Sequence, residues 1–368
     1  MYFKKQKNEL FLIYKRIRSI FLIKIILFLF SIFYFCGYKI RLFLYKTGIL
    51  KTNKLSIKVI SIGNLTSGGT GKTPLSIEIA NYLIKNENKV AVLSRGYKRR
   101  LREESNGNNI LVSDGQEILS DYERSGDEPY LIAKNVPKAI VISGTDRVLN
   151  AKSAIKLGAD ILILDDGFQY LKLQRDENIL IIDSMNPFDN GLLLPAGELR
   201  ELPDSIKRAT AIVLSNTQNI KPTDTLFNLI KKHSPNKPII EINYTIKSLK
   251  GINIVKTLNI NELTDKNIIA FSGIGNPESF EKSLTNIGFK ITKHLVYPDH
   301  HNYEFDDITK IIEYAVKNKI ENIITTEKDA IKIGLFIEGA PVTFWHTVLE
   351  IKWETSDPFS QLLSNIKS

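Results

Sequence analysis

Two groups of side chains able to do phosphate chemistry stand at the ends of apolar runs in this 368-residue sequence. The first is Thr66-Ser67-Gly68-Gly69-Thr70-Gly71-Lys72-Thr73, followed by Pro74. Glycines let a backbone curl until its N–H groups converge on phosphate oxygens. A lysine there reaches the β and γ phosphates of a nucleotide, and a threonine hydroxyl is an oxygen ligand for Mg²⁺. The second group is Asp165-Asp166, which closes the run Ile161-Leu-Ile-Leu164. Paired acids at the end of a buried strand have the shape of a Walker B element, whose carboxylate holds Mg²⁺ opposite the loop threonine. A plain acidic turn is the alternative.

These groups need a strand before the glycines and a helix after them. The alternation of Ile57, Val59, Ile60 and Ile62 predicts the strand, and the spacing from Pro74 to Leu83 predicts the helix, with Pro74 in a first turn that needs no N–H. The glycine expected five residues before Gly71 is Thr66, so only the Gly-Lys-Thr half fits the usual pattern. The Gly-Gly-x-Gly-Lys-Thr core resembles the variant loops of the septum-site and partitioning ATPases, although their early lysine is replaced here by the region of Thr66 and Ser67. Further apolar runs at Lys89–Ser94, Ala139–Ser143, Asn178–Asp183 and Ala211–Ser215 predict a mainly parallel βα series. Arg95-Gly-Tyr-Lys-Arg-Arg lies at a strand's C-terminal end, where doubly wound sheets bind ligands. Residues 98–102 also read as a solvated loop, and Asn106 to Asn109 as a surface insertion. Asp127 and Glu128 stand before Pro129, where helix capping is the structural reading.

The formal charge of +10 suggests a nucleic-acid binder until it is located. Residues 1–58 carry ten Lys and three Arg against Glu9 alone, a balance of +12 that leaves −2 for the rest of the chain. A nucleic-acid surface is therefore not expected. The basic residues flank Ile25-Ile-Leu-Phe-Leu-Phe-Ser-Ile-Phe-Tyr-Phe-Cys36, which as a helix is apolar on every face and must be buried in lipid or protein. Lys15, Arg16 and Arg18 on one side and Lys39, Arg41 and Lys46 on the other suit anionic headgroups. Residues 1–50 are thus expected to be a membrane anchor. One cysteine, Cys36, excludes an intrachain disulfide.

A composition shift through Pro222, Pro235 and Pro238 ends the first unit, expected to span 51–238. Two period-two segments, 239–249 and 343–353, predict a two-stranded ribbon entering and leaving a smaller α/β unit at 250–342. The tail 354–368 has helical spacing and is expected to pack back on the first unit. Gly273-Ile-Gly275 after a strand hints at a dinucleotide site, weakly without a third glycine. Thr326-Glu-Lys328-Asp329 is a poor guanine motif, since its lysine and aspartate are adjacent.

Taken together, Gly63-Asn64 with the glycine loop, Ser94-Arg-Gly-Tyr97, Gly126-Asp-Glu-Pro129, Asp165-Asp-Gly-Phe-Gln169, Pro195-Ala-Gly-Glu-Leu-Arg-Glu201 and Pro298-Asp-His300 resemble the tetraacyldisaccharide 4′-kinase family. The resemblance implies an α/β fold with a P-loop NTPase core and an N-terminal membrane helix. It implies ATP and Mg²⁺ as cofactors and γ-phosphate transfer to the 4′-hydroxyl of an acylated glucosamine disaccharide 1-phosphate. It also implies a place on the cytoplasmic face of the cell inner membrane. By that likeness Lys72 and Thr73 serve phosphates and metal, Asp165 and Asp166 support Mg²⁺, and Asp127 is the base for the sugar hydroxyl. His300 orients that base, with His301 beside it as the alternative, and Arg147 neutralises developing charge. Gln169, Arg200 and Glu201 contact nucleotide or sugar. No protein partner is expected. The rival reading is a partitioning or metallochaperone ATPase that switches partners at the membrane, which predicts a dimer and no acceptor-sugar site.

Overall fold

The computed structural model describes residues 21–96, 109–218 and 222–366. The basic residues 15–18, the loop at 97–102 and the insertion from 106 lie outside the described residues, except for Asn109.

The apolar N-terminal run is a 26-residue helix, α1 (Phe21–Lys46). The loop motif follows with its strand β1 (Lys58–Asn64) and helix α2 (Lys72–Lys85). Alternation along β1 suggests one wet face, yet six of its seven residues are buried. The reason is that it is an interior parallel strand covered on both sides. Ile60 and Ile62 pack with Leu75 and Ile79 of α2. Val59 points the other way, into the cluster that contains Leu93 and Leu162.

The chain continues through β2 (Val90–Ser94) and β3 (Ile110–Asp114), then the short helix α3 (Tyr122–Ser125) and α4 (Asp127–Asn135). Next come β4 (Ile140–Ser143), α5 (Arg147–Lys156), β5 (Ile161–Asp165), β6 (Glu177–Asp183), β7 (Ala211–Ser215) and α6 (Asp224–His233). Beyond them are β8 (Ile239–Gly251), β9 (Thr257–Asn259), β10 (Asn267–Ser272), α7 (Pro277–Ile287) and β11 (Lys290–Val296). Last are α8 (Phe305–Lys317), β12 (Asn322–Thr325), α9 (Glu327–Ala330), β13 (Thr343–Trp353) and α10 (Pro358–Leu362).

All the strands join one sheet in the order β11-β10-β12-β13-β8-β7-β6-β1-β5-β2-β4-β3, with β9 hung on β8. The pairings are parallel except β8 with β13, β8 with β9, and β3 with β4. Strand β3 was not picked out by periodicity, because an edge strand of five residues next to a loop carries little pattern. The long pair β8 and β13 runs from Trp345 opposite Gly251 to Trp353 opposite Ile242, with a register shift between Val348 and Leu349. One core packs around Ile60 and Ile132 on the β1 side of this pair, and another around Phe271, Ile308 and Phe344 on the other. The tail helix α10 returns to the first of these, where Leu362 and Leu363 are buried and Phe359 stacks on Tyr82 with ring centroids 3.8 Å apart.

Candidate active site

Strand β1 delivers the glycine loop at its C-terminal end, and β5 delivers the acidic pair beside it, with Ile62 opposite Asp165. Gly71 caps α2 in the left-handed region at φ 87°. A side chain there would be strained and would strike the ring of Tyr244, whose hydroxyl donates to the Gly71 carbonyl at 2.8 Å. The start of the loop is pinned from outside. Thr66 bridges to Leu199, the Ser67 N–H donates to the Glu198 carbonyl at 2.7 Å, and the Ser67 hydroxyl bonds the Glu198 carboxylate. Lys72 folds back on its own loop, with Nζ 3.3 Å from the Gly68 carbonyl and 3.8 Å from Asp166 Oδ1. Within the loop the Thr70 hydroxyl is buried and has no protein partner among the described residues. A buried hydroxyl without a partner costs stability unless a ligand satisfies it.

The two acids live in different fields. Asp165 accepts from Ser76 Oγ at 2.8 Å and lies 3.4 Å from the Thr73 hydroxyl. Burial and the negative field of Glu128 push its carboxyl well above the usual carboxylate range. Asp166 sits at φ 51° and is gripped through both oxygens by Arg200 Nη1, at 2.8 and 3.0 Å. Burial works to raise this second carboxyl, but Lys72 and Arg200 outweigh it and hold the group ionised. No cluster of three or more His, Cys, Asp or Glu able to bind a metal occurs among the described residues. Two carboxylates and a hydroxyl nevertheless suit Mg²⁺, which takes one or two carboxylates and completes its octahedron with water and phosphate oxygens. A cation at this place would also relieve the charge crowding that raises Asp165.

The other residues marked by the sequence are placed as follows. Arg147, only 3% exposed, commits Nη2 to the Asp165 carbonyl at 2.7 Å and Nη1 to the Asp166 carbonyl at 3.0 Å. Gln169 donates its amide to the Asn64 carbonyl at 2.8 Å, just before the loop. The Glu201 carboxylate is buried against Arg208, whose guanidinium lies over the Phe168 ring. Geometry therefore gives Arg147 and Gln169 main-chain partners, and gives Glu201 an ion-pair partner.

Asp127 begins α4 rather than preceding it, and its carboxylate meets residues from far along the chain. His300 Nδ1 is 2.8 Å from Asp127 Oδ2, although 173 positions separate the two in sequence. His301 turns away to Asp307, at 3.0 Å. Lys332 Nζ is 3.0 Å and Lys328 Nζ 3.9 Å from the same Asp127 oxygen. Burial tends to raise this carboxyl, but His300 and the two lysines overcome it and draw it far below the usual range. Sequence reasoning missed Lys328 and Lys332. Their spacing of four places both on one side of a helical turn, a signal that was present but not tied to any partner. The Gly273–Gly275 turn lies against the phosphate loop. A Cβ on Gly275 would lie 3.3 Å from the Gly69 nitrogen.

A glycine loop with Lys and Thr at a helix start, beside an acidic pair on the neighbouring parallel strand, defines a P-loop nucleotide-binding protein. The family model described as Tetraacyldisaccharide-1-P 4'-kinase matches residues 23–367. Similar curated proteins include a tetraacyldisaccharide 4'-kinase of Syntrophus aciditrophicus, 39% identical over 342 residues and covering 89% of each chain. One from Halothermothrix orenii is 37% identical over 326 residues, covering 84% of each. Among solved structures, LpxK from Aquifex aeolicus in complex with ATP superposes with a TM-score of 0.75 at 32% identity, covering 94% of this chain and 99% of that one. The chain belongs to the tetraacyldisaccharide 4'-kinase family.

Proposed function

We infer that this protein is an ATP-dependent kinase that transfers the γ-phosphate to the 4′-hydroxyl of tetraacyldisaccharide 1-phosphate in lipid A biosynthesis. The observation that carries this reading beyond nucleotide binding is the buried Asp127–His300 pair. A nucleotide switch needs the loop and the acidic pair, whereas a carboxylate held ionised outside them serves an acceptor hydroxyl. The partitioning-type ATPase reading is not favoured.

Phosphoryl transfer through a loose transition state asks for positioning and positive charge more than for a strong base. Asp127 Oδ2 is taken by His300 and Lys332, while Oδ1 accepts the Glu128 N–H at 3.1 Å and a longer His300 contact. Oδ1 is therefore the atom that orients the sugar hydroxyl and receives its proton late, once bond formation has made it acidic. Lys72 supplies charge to the transferred group. Thr73 and Asp165, with Asp166 beside them, would hold Mg²⁺, which when bound neutralises charge on the phosphate oxygens. Arg147 and Gln169 act through the main chain at the ends of β5 and β1, and Arg200 fixes Asp166. Units 51–238 and 250–342 close about the ribbon 239–249 and 343–353, which seats Gly275 on the loop and excludes competing water. The direct test is to incubate protein with ATP, Mg²⁺ and the detergent-dispersed acceptor, and to look by mass spectrometry for one added phosphate. ATP hydrolysis with no acceptor product would count against the kinase and for the switch.

The acceptor is an acylated lipid, so the enzyme must work at a bilayer. As an α-helix, α1 is about 39 Å long, and it leaves Phe33 74% and Phe43 61% exposed. Its polar face docks on the protein. Ser31 Oγ donates to the Leu193 carbonyl at 2.8 Å, Tyr34 to the Arg200 carbonyl at 2.9 Å, and Arg41 to the Gln169 carbonyl at 2.8 Å. A helix bound to its own protein from Ser31 onward suits one leaflet better than a full span, and we place it in the cytoplasmic leaflet of the cell inner membrane. Deleting residues 1–50 is expected to release the protein from liposomes in a flotation assay. It is also expected to lower turnover on detergent-dispersed acceptor, because Gln169 and Arg200 lose their supports. A truncated protein that still floats would locate the anchor elsewhere.

A further inference from the structure

We propose that Lys328 is a positioning residue of the phosphotransfer site: its ammonium holds His300 in the single tautomer that can donate to Asp127. Lys328 Nζ lies 3.2 Å from His300 Nε2, on the edge of the ring opposite Asp127. An ammonium has donors and no acceptor, so Nε2 must be the ring's unprotonated nitrogen. The one imidazole N–H then sits on Nδ1, where it donates to Asp127 Oδ2 at 2.8 Å. The opposite tautomer would set a lone pair against the Asp127 carboxylate and an N–H against an ammonium, both repulsive.

Lys328 is held in place from two sides. Asp299 Oδ1 is 3.4 Å from its Nζ and Asp127 Oδ2 is 3.9 Å away. Burial opposes the charge on this lysine, but Asp127 and Asp299 outweigh burial and raise its affinity for a proton, so it stays an ammonium through neutral pH. The charged and titratable groups around the ring, among the described residues, are Asp127 and Glu128 on α4, Asp299 and His301 on the loop before α8, and Lys328, Asp329 and Lys332 on and just after α9. Asp299 Oδ2 lies 3.7 Å from His300 Nε2, too far to compete for a ring proton as a hydrogen-bond acceptor. Lys332, only 5% exposed, takes a different part, since it binds Asp127 directly and donates to the His301 carbonyl at 3.3 Å. The relay therefore runs Lys328 to His300 to Asp127. Its first two members lie beyond the ribbon, so the base is fully oriented only when that part of the chain is seated against α4.

This inference rests on Asp127 being the acceptor's base, and the test separates the two. With five histidines in the chain, nitrogen-15 spectra of histidine-labelled full-length protein are assignable, with His300→Gln to identify the ring in question. Wild type is expected to show His300 with its proton on Nδ1. Lys328→Met removes the donor at similar length and should lose that signature. It should also lower kcat about 100-fold, the scale of acid–base positioning, with the KM for ATP little changed. Lys328→Arg, which keeps a cationic donor, should restore the tautomer and most of the rate. A Lys328→Met protein with the wild-type tautomer or wild-type kcat overturns the proposal. So does a Lys328→Arg protein that fails to recover either. Full activity in Asp127→Ala would instead remove the base reading, and it would do so whatever the spectra of Lys328 variants show.

Discussion

Lys72→Ala is expected to lose at least about a thousandfold in turnover, roughly 4 kcal/mol of transition-state stabilisation. The size follows from what the position offers. Lys72 opens α2 directly after Gly71, so its ammonium shares a point with the loop amides and the helix N-terminus. Its Nζ now rests between the Gly68 carbonyl and Asp166, at 3.3 and 3.8 Å, both weak partners that a phosphate oxygen displaces. Removing it takes away the cation of this loop and leaves its N–H groups to meet the charge of the transferred group. Steady-state kinetics with saturating acceptor check this, and circular dichroism checks that the variant is folded. A near-normal rate would sink the assignment of this loop to the γ-phosphate.

The second large effect is expected at the Asp127–His300 pair. Asp127→Ala should lower turnover about 10²- to 10⁴-fold and His300→Ala by less, with ATP binding retained in both. The double variant should lose little more than Asp127→Ala alone. If His300 acts by orienting that carboxylate, as their 2.8 Å contact suits, there is nothing left to orient once the carboxylate is gone. Fully additive losses in log rate would show the two acting independently. Normal activity in His300→Ala would remove the histidine from the mechanism, and the 3.0 Å contact of His301 to Asp307 makes that neighbour a poor substitute. Titration calorimetry with ATP separates a loss of chemistry from a loss of nucleotide.

The parts of this site legible in the sequence are those whose chemistry sits within a few residues of a strand end. The loop Thr66–Thr73 and the pair Asp165–Asp166 follow apolar runs, and the fold brings them together because β1 and β5 are neighbouring parallel strands. Residue types likewise marked Arg147 and Glu201, but spacing along a chain says nothing about which atoms a guanidinium or carboxylate meets. Arg147 spends its donors on two carbonyls of the acidic turn, and the Glu201 carboxylate accepts from Arg208. Lys328 and Lys332 were invisible as site residues for the same reason, since their partner Asp127 lies about two hundred positions earlier.

By itself the sequence determined the family, the P-loop α/β core and an apolar N-terminal helix. Each of these is written in local pattern: glycines before a Lys-Thr pair, apolar runs at strand length, and a dozen greasy residues among basic ones. What only the tertiary structure decided is the state of the groups that pattern names. Asp165 and Asp166 are adjacent and chemically alike, yet one is driven toward its neutral form by burial and Glu128 while the other is kept charged by Lys72 and Arg200. Local pattern reads Asp127 as a helix cap and only the family resemblance makes it a base, while the fold makes it a buried carboxylate clasped by a histidine and two lysines. Ionisation and tautomer depend on desolvation and on charges within a few ångströms, and those neighbours are supplied by distant segments that only the folded sheet brings together.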